Sequence, residues 1–466
     1  MRKSLIMLFL MFACCAHRLP TPAASAMPDA LLQRADAYKA AGRYLEALTF
    51  YRDIVMNPAW KESAGAPLYK NMADIYRDYL GDTAQAQAWY AEFQARAPGS
   101  SSAQAADTRL LAVDQHMPPY IRVLVADSAE PVLIASGSPL QIAVGNDAAI
   151  STNSKITCAA DNNSIRMNNT APVHVSIRVT PDAGQSFSID GTSYRGLLML
   201  TAERGRLLVV NLVPIDDYLC GVLPREMAPS WPLEALKAQA VAARTYALYH
   251  MLLRRFASYD VLSTTSSQVY GGSEKDYPAI RTAVDATRGL VLVEGGRLAL
   301  TLFHANSGGR TESLEDIWGG RISCLSSVDD PFSKNYSGDT WEKTVPAQEI
   351  TAAFGQFGIA AGAIKDIAPI ERSASGRIKK LKITAQQETF FLSGNSFRLI
   401  AGPGKVKGTN FTVQKEKSEF VFKGSGYGHG AGMSQWGAYG MAKKGHAFTA
   451  ILGHYYPGTQ TVRIVK

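Results

Sequence analysis

The 466-residue chain reads as an α+β protein: a β-rich domain built around one alanine-rich helix, preceded by a small all-α helical-repeat region. Three features predict this. Small and aromatic residues recur at helical spacing from Pro28 to about Gln115. Beyond Met117-Pro118-Pro119, β-branched residues alternate with polar ones, the two-residue period of a half-buried strand. Between Pro232 and His250, Ala235, Ala238, Ala240, Ala242, Ala243 and Ala247 mark a slim helix of high propensity.

Residues 1–26 have the pattern of an export signal: Arg2 and Lys3, an apolar run from Leu5 to Ala16, then Ala24-Ser25-Ala26 as a cleavage site. Met11-Phe12-Ala13 ahead of Cys14 departs from a lipobox, which favours cleavage near Met27 over lipid attachment. The expected location is the periplasm or cell envelope. Loss of Arg2, Lys3 and Arg18 lowers the formal charge of +8 to +5, a mild excess suited to acidic wall polymers. Basic runs with interleaved aromatics are missing from the sequence, which argues against nucleic acid. Cys158, Cys220 and Cys324 remain, an odd count without C-x-x-C spacing, so at most one bridge is expected and its pairing stays open.

In the first region Gly42 and Gly81, like Tyr51 and Tyr90, stand 39 residues apart. Tyr38, Gly42, Ala47, Tyr51 and Pro58 follow a tetratricopeptide-like pattern of paired helices. Two such units bury little surface alone, so the region 27–115 is expected either to pack on the domain 118–466 or to bind a partner. In the β-rich part, Ile121 to Ala126, Pro131 to Ile134 and Val173 to Val179 read as strands, and residues 146–171 as a turn-rich insertion. Tyr194 to Leu200 and Arg206 to Leu212 read as a hairpin leading towards Glu226.

Pro224-Arg225-Glu226-Met227-Ala228-Pro229 reads as a loop whose two prolines fix where Glu226 points. Ser230 and Pro232 are expected to start the alanine-rich helix, with Glu234 in its first turn. Lys237 and Arg244, seven apart, then share one stripe.

Four later clusters are rich in polar groups or glycine: Ser263 to Gly272, with Gln268 and Tyr270; His304 to Thr311, with Ser307, Gly308 and Gly309; Gly424 to Gly437, with His429, Ser434 and Gln435; and His454 to Gly458. Glycine permits close backbone approach to a ligand and aromatic faces suit sugar rings, so together they suit a sugar-binding groove. The Gly428 to Gly432 run lacks both the GK[ST] ending and the G-x-G-x-x-G spacing of nucleotide loops. His304, His429 and His454 lack helical H-x-x-x-H spacing, and no metal or cofactor is expected.

The residues Tyr218 to Met227, Ala235 to Ala240, Ala243 to Tyr246, His304 to Thr311 and Gly428 to Gln435 resemble, in order, the stage II sporulation protein D family with its amidase enhancer branch. The resemblance covers about Ile121 to Lys466 and leaves the helical front outside it. It implies a peptidoglycan lytic transglycosylase acting on glycan strands whose stem peptides have been removed, with Glu226 as the catalytic acid. It also implies that Lys237, Arg244 and the His304 and His429 motifs lie in or beside the groove, where Gln239, Gln268 and Tyr270 are further candidate substrate-binding residues. The alternative within the family is a non-catalytic glycan binder that stimulates a cell-wall amidase. An amidase or a division or sporulation protein is then the expected partner of the helical region.

That chemistry needs one carboxyl group, which first donates a proton to the glycosidic oxygen and then accepts one from the sugar's C6 hydroxyl. Ordinary glycosidases use two carboxyl groups and water. Asp216, Asp217, Glu312 and Asp316 are the candidate second groups, so hydrolysis stays open.

Overall fold

The computed structural model describes residues 27–98, 100, 120–144, 149–168, 175–273 and 275–464. The export segment, residues 99 and 101–115 of the expected helical region, the Met117-Pro118-Pro119 boundary and residues 173–174 of one expected strand therefore lie outside the described residues.

The front region is helical. Met27–Ala40 packs on Tyr44–Met56, and Ala66–Asp74 on Thr83–Arg96. Gly42 and Gly81 both adopt positive φ, 77° and 68°, a turn geometry that L side chains resist. These helices sit on the larger domain. Trp318 Nε1 donates to Thr49 Oγ1 at 2.8 Å, Tyr76 OH donates to the Trp318 carbonyl at 2.6 Å, and Asn57 exchanges two hydrogen bonds with the Phe391 backbone. Asp53 is fully buried at this contact, where its Oδ1 accepts from Ser393 N at 2.9 Å while Oδ2 has no partner. Burial pushes its carboxyl up to about 7.

Among the described residues seven strands form one sheet in the order Val261–Leu262, Tyr120–Ser128, Arg206–Pro214, Leu197–Glu203, Ser176–Thr180, Gln141–Ala143, Ile150–Ser151. The expected hairpin is there: Leu197 faces Leu212 and Glu203 faces Arg206. The segment read as a turn-rich insertion instead contributes strands Lys155–Asp161 and Ser164–Met167 to a second, five-stranded sheet. Ile156, Cys158 and Ile165 point inward and are 1%, 0% and 1% exposed, Thr157, Asp161 and Ser164 fall on the alternate positions, and Asn162 and Asn163 form the turn between the two strands. Cys158, Cys220 and Cys324 are free thiols.

The hairpin runs directly into helix Ile215–Glu226 and then helix Leu233–Leu253. The stretch expected as a loop is thus partly helical, with Pro224 inside the last turn. Proline there has no N–H to give the Cys220 carbonyl, and the helix ends two residues later. Helix Leu233–Leu253 starts at Leu233 with Pro232 as its N-cap, and no side chain caps it, so Ser230 does not serve in that role. Its alanines are 0% exposed and let other elements approach the backbone, as where Thr301 Oγ1 donates to the Ala242 carbonyl at 2.8 Å. Among the described residues no helix is long and apolar enough to cross a membrane.

Candidate active site

Glu226 is the last residue of its helix, and the chain turns extended at Met227. Its Oε2 accepts from Gln435 Nε2 at 2.9 Å, and its carboxylate also accepts from the Val269 backbone N–H. Withdrawal from water raises the Glu226 pKa, and the two hydrogen bonds oppose that rise by favouring the charged form. A carboxyl group so placed holds its proton to higher pH than a solvated one.

Each partner is itself held in place. Gln435 begins helix Gln435–Lys443, which Ser434 caps by accepting from Gly437 N at 3.1 Å. Residues Met433–Ser434 pair in parallel with Phe303–His304, so the histidine and glycine-rich motifs meet beside Glu226. On the other side, Gln268 is 1% exposed; its Oε1 accepts from Tyr218 OH at 3.0 Å and its Nε2 donates to the Ala243 carbonyl at 3.4 Å. Tyr270 OH donates to Asn211 Oδ1 at 3.0 Å. Gln268 and Tyr270 thus face the interior, and the group that reaches Glu226 is the backbone of Val269 between them.

The other predicted residues separate clearly. Gln239 is fully buried, and neither its Nε2 nor its Oε1 has a partner. Lys237 pairs with Glu234 at 2.7 Å, whose other oxygen accepts from Phe448 N at 2.8 Å. Arg244 does not line open surface: it is 1% exposed and donates to the Thr287 carbonyl at 2.9 Å, the Val284 carbonyl at 3.3 Å and Asp216 at 3.1 Å. Helical periodicity put it on the same stripe as Lys237, but residues 284–290 cover that end of the stripe.

His304 is buried, with Nδ1 donating to the Ala431 carbonyl at 3.1 Å, and its ring lies 5.7 Å from that of His429. His429 Nδ1 accepts from Ala431 N at 3.1 Å. Burial first, and nearby cationic groups second, hold His304 well below the usual range and His429 at about 3, so both are neutral at pH 7. Ser307 Oγ donates to Asp330 Oδ2 at 2.6 Å, and Tyr455 OH donates to Asp330 Oδ1 at 2.8 Å. Gly308 and Gly309 have φ of 70° and 108°, and a Cβ at Gly308 would lie 2.7 Å from Gly426 N. The buried guanidinium of Arg377 donates to the Ser307 carbonyl at 2.6 Å and the Arg310 carbonyl at 2.8 Å. These motifs form the frame that holds Ser434 and Gln435.

The candidate second carboxylates are engaged elsewhere. Asp216 pairs with Arg244, Asp217 with Arg195 and Arg281 at 3.1 Å each, and Asp316 with Lys379 at 2.9 Å. Glu312 accepts from Ser375 Oγ at 2.7 Å and Ser313 N at 3.0 Å. Among the described residues none of them shares a hydrogen-bond partner with Glu226, and no group of three or more His, Cys, Asp or Glu is placed to hold a metal ion.

Asp330, Arg377 and the Val269 N–H were not anticipated from sequence. A backbone donor has no sequence signature, and single Asp or Arg residues acquire their roles only from the segments they join.

The chain is similar in sequence to known proteins over much of its length. Residues 203–293, which carry Glu226 and Val269, match the family described as Stage II sporulation protein. Residues 328–432, which carry Asp330, Arg377 and His429, match a domain of unknown function, DUF8618. An uncharacterized protein of Brachyspira hyodysenteriae is 38% identical over 277 residues, 59% of this chain and 74% of the relative. The Stage II sporulation protein D of Bacillus subtilis is 31% identical over 270 residues, 54% of this chain and 75% of the relative. The amidase enhancer of Bacillus subtilis is 28% identical over 337 residues, 61% of this chain but only 46% of the relative. The chain belongs to the stage II sporulation protein D and amidase enhancer family.

Proposed function

We propose that this protein is an exported peptidoglycan lytic transglycosylase that cleaves glycan strands after stem-peptide removal. The observation that carries the reading is Glu226: a carboxyl group at a helix end, raised in pKa by burial, oriented by Gln435 and Val269, with no second carboxylate sharing its contacts. The protonated carboxyl group gives its proton to the bridging oxygen as the C1–O bond breaks. The resulting carboxylate then takes the proton of the C6 hydroxyl, whose oxygen bonds to C1 and closes an anhydro ring. The proton count at Glu226 is restored and no water is consumed. Gln435 and Val269 N–H stabilise the intermediate carboxylate, and the burial that raises the pKa keeps the carboxyl group protonated and so available as the donor in the first transfer.

The test is release of soluble fragments from peptide-free and intact peptidoglycan by the parent and by Glu226→Gln. The reading expects faster release from peptide-free strands and none above background from Glu226→Gln with its circular dichroism unchanged. Equal release by the two proteins removes Glu226 from the chemistry.

The likeness to the protein named amidase enhancer supports a second reading, in which the groove holds glycan and the protein stimulates a cell-wall amidase. Under it, stimulation survives Glu226→Gln and no fragments appear. The helical front, read as tetratricopeptide-like, is then the surface offered to that partner or to a division or sporulation protein.

A further inference from the structure

Beside Glu226 lies a group of rings that the acid and base chemistry does not use. Trp231 and Trp436 have ring centroids 4.5 Å apart, and Tyr439 lies 5.0 Å from Trp231 and 5.3 Å from Trp436. Tyr336 stacks on Trp436 at 5.2 Å with planes within 10°, and meets Tyr439 edge-on at 5.2 Å. All four are half-buried, so each keeps part of its ring in solvent. A cluster that served only as core would cover these faces, since a large aromatic ring gains most from full burial. No hydrogen bond among the described residues engages the Trp231 or Trp436 indole N–H or the Tyr336 or Tyr439 hydroxyl. Four polar tips thus rim an apolar surface.

The cluster is tied through the chain to the carboxylate and its partner. Trp436 follows Gln435, whose amide holds Glu226, and its own backbone N–H is fixed on the Ala305 carbonyl at 3.0 Å. Trp231 lies five residues after Glu226 in a turn fixed by its N–H on the Ala228 carbonyl at 2.9 Å. The segments that orient the acid therefore also carry the rings.

We infer that Trp231, Tyr336, Trp436 and Tyr439 form a stacking subsite for one pyranose of the glycan strand, next to the linkage presented to Glu226. The inference rests on the glycan-cleaving reading and adds to it where the strand is gripped. The C–H bonds on one face of a pyranose present hydrogens of partial positive charge, which the negative face of an indole or phenol ring attracts. The ring edges and the free N–H and O–H groups meet the sugar's outward polar substituents. A cluster of apolar ring surfaces with polar tips suits an uncharged amphipathic ring better than a peptide charge or a phosphate.

The experiment uses full-length Glu226→Gln protein, so that bound strands stay intact, with purified peptide-free glycan strands as the probe and tryptophan fluorescence and equilibrium retention as readouts. Adding Trp436→Ala is expected to weaken retention roughly tenfold, and Trp436→Phe by no more than about threefold, because a stacked ring is worth on the order of 1 kcal/mol. Trp231→Ala, at a residue outside any helix or strand, is the second variant and keeps the test open should Trp436→Ala fold poorly; it is expected to weaken retention and to remove part of the fluorescence response. If Glu226→Gln retains strands and the folded alanine variants retain them equally well, the platform is overturned while the role of Glu226 stands. If Glu226→Gln retains no strands at all, the glycan reading falls and takes the platform with it.

Discussion

Two polar regions of this protein look alike in sequence and differ in how their groups are satisfied. Around Ser307, Asp330, Arg377 and His304, donors and acceptors interlock in a buried frame, as where Asp330 accepts hydrogen bonds from both Ser307 and Tyr455, and only His304 Nε2 among these side chains is left buried without a partner. Around Glu226 the carboxylate is half-buried and has two donors, and the segments that carry it and Gln435 also carry half-buried rings. The first arrangement stabilises a shape and the second leaves chemistry available. Density of polar residues does not separate scaffold from site; what each ionisable group is paired with does.

That contrast is broken most severely by removing the acid. Glu226→Gln is expected to slow strand cleavage by roughly 10²- to 10⁴-fold, the usual worth of a positioned acid or base, without lowering the melting temperature. In the parent, cleavage should fall as pH rises through the raised pKa of Glu226, because the protonated form is the donor. Ionising this carboxyl costs stability that is present below its unfolded value and lost as pH rises, so Glu226→Gln should flatten that loss.

Next in size is the buried cation. Arg244→Met should cost about 3 kcal/mol in chemical denaturation, since it strips Asp216 of a buried partner and leaves the carbonyls of residues 284–290 without their donor. A loss of activity with unchanged stability would instead place Arg244 in the groove. Ser307→Ala removes a donor from a fully buried carboxylate and should cost about 1 to 3 kcal/mol.

The histidines give a pH test of the frame. Both are held neutral, His429 at about 3, so the unfolded chain binds more protons than the folded one between that value and the ordinary histidine range. Stability should therefore be full at pH 7 and decline as pH falls from about 6.5 towards 3, and His429→Gln should soften the decline. The smallest effect expected is that of Lys237→Ala, under about 1 kcal/mol, because its pair with Glu234 is partly solvated.

Much of the frame was legible in sequence because local rules decide it. The hairpin before Glu226 and the alanine-rich helix follow from alternation and propensity. What escaped depended on distant segments. Lys237 and Arg244 share a stripe on a 21-residue helix, yet periodicity says nothing of which end another element covers. Gln268 and Tyr270 marked the right segment, while the contact with Glu226 comes from the backbone between them. Residues 146–171 read as turns because of their Asn, Asp, Ser and Thr, yet Thr157, Asp161 and Ser164 sit in strands and only Asn162 and Asn163 make the turn between them, Asn162 with a positive φ of 54°. The front helices were expected either to dock or to bind elsewhere; Thr49, Asn57 and Tyr76 seat them on the larger domain.

The central claim is that Glu226 alone acts in turn as acid and base. The most direct test is the mass of fragments released from peptide-free glycan strands, with Glu226→Gln run beside the parent. The account predicts anhydro ends, lighter by one water than hydrolysed ends, from the parent and none from Glu226→Gln. Hydrolysed ends from the parent would contradict it and require a second carboxylate; fragments of either kind from Glu226→Gln at the parent's rate would contradict the assignment of Glu226 itself.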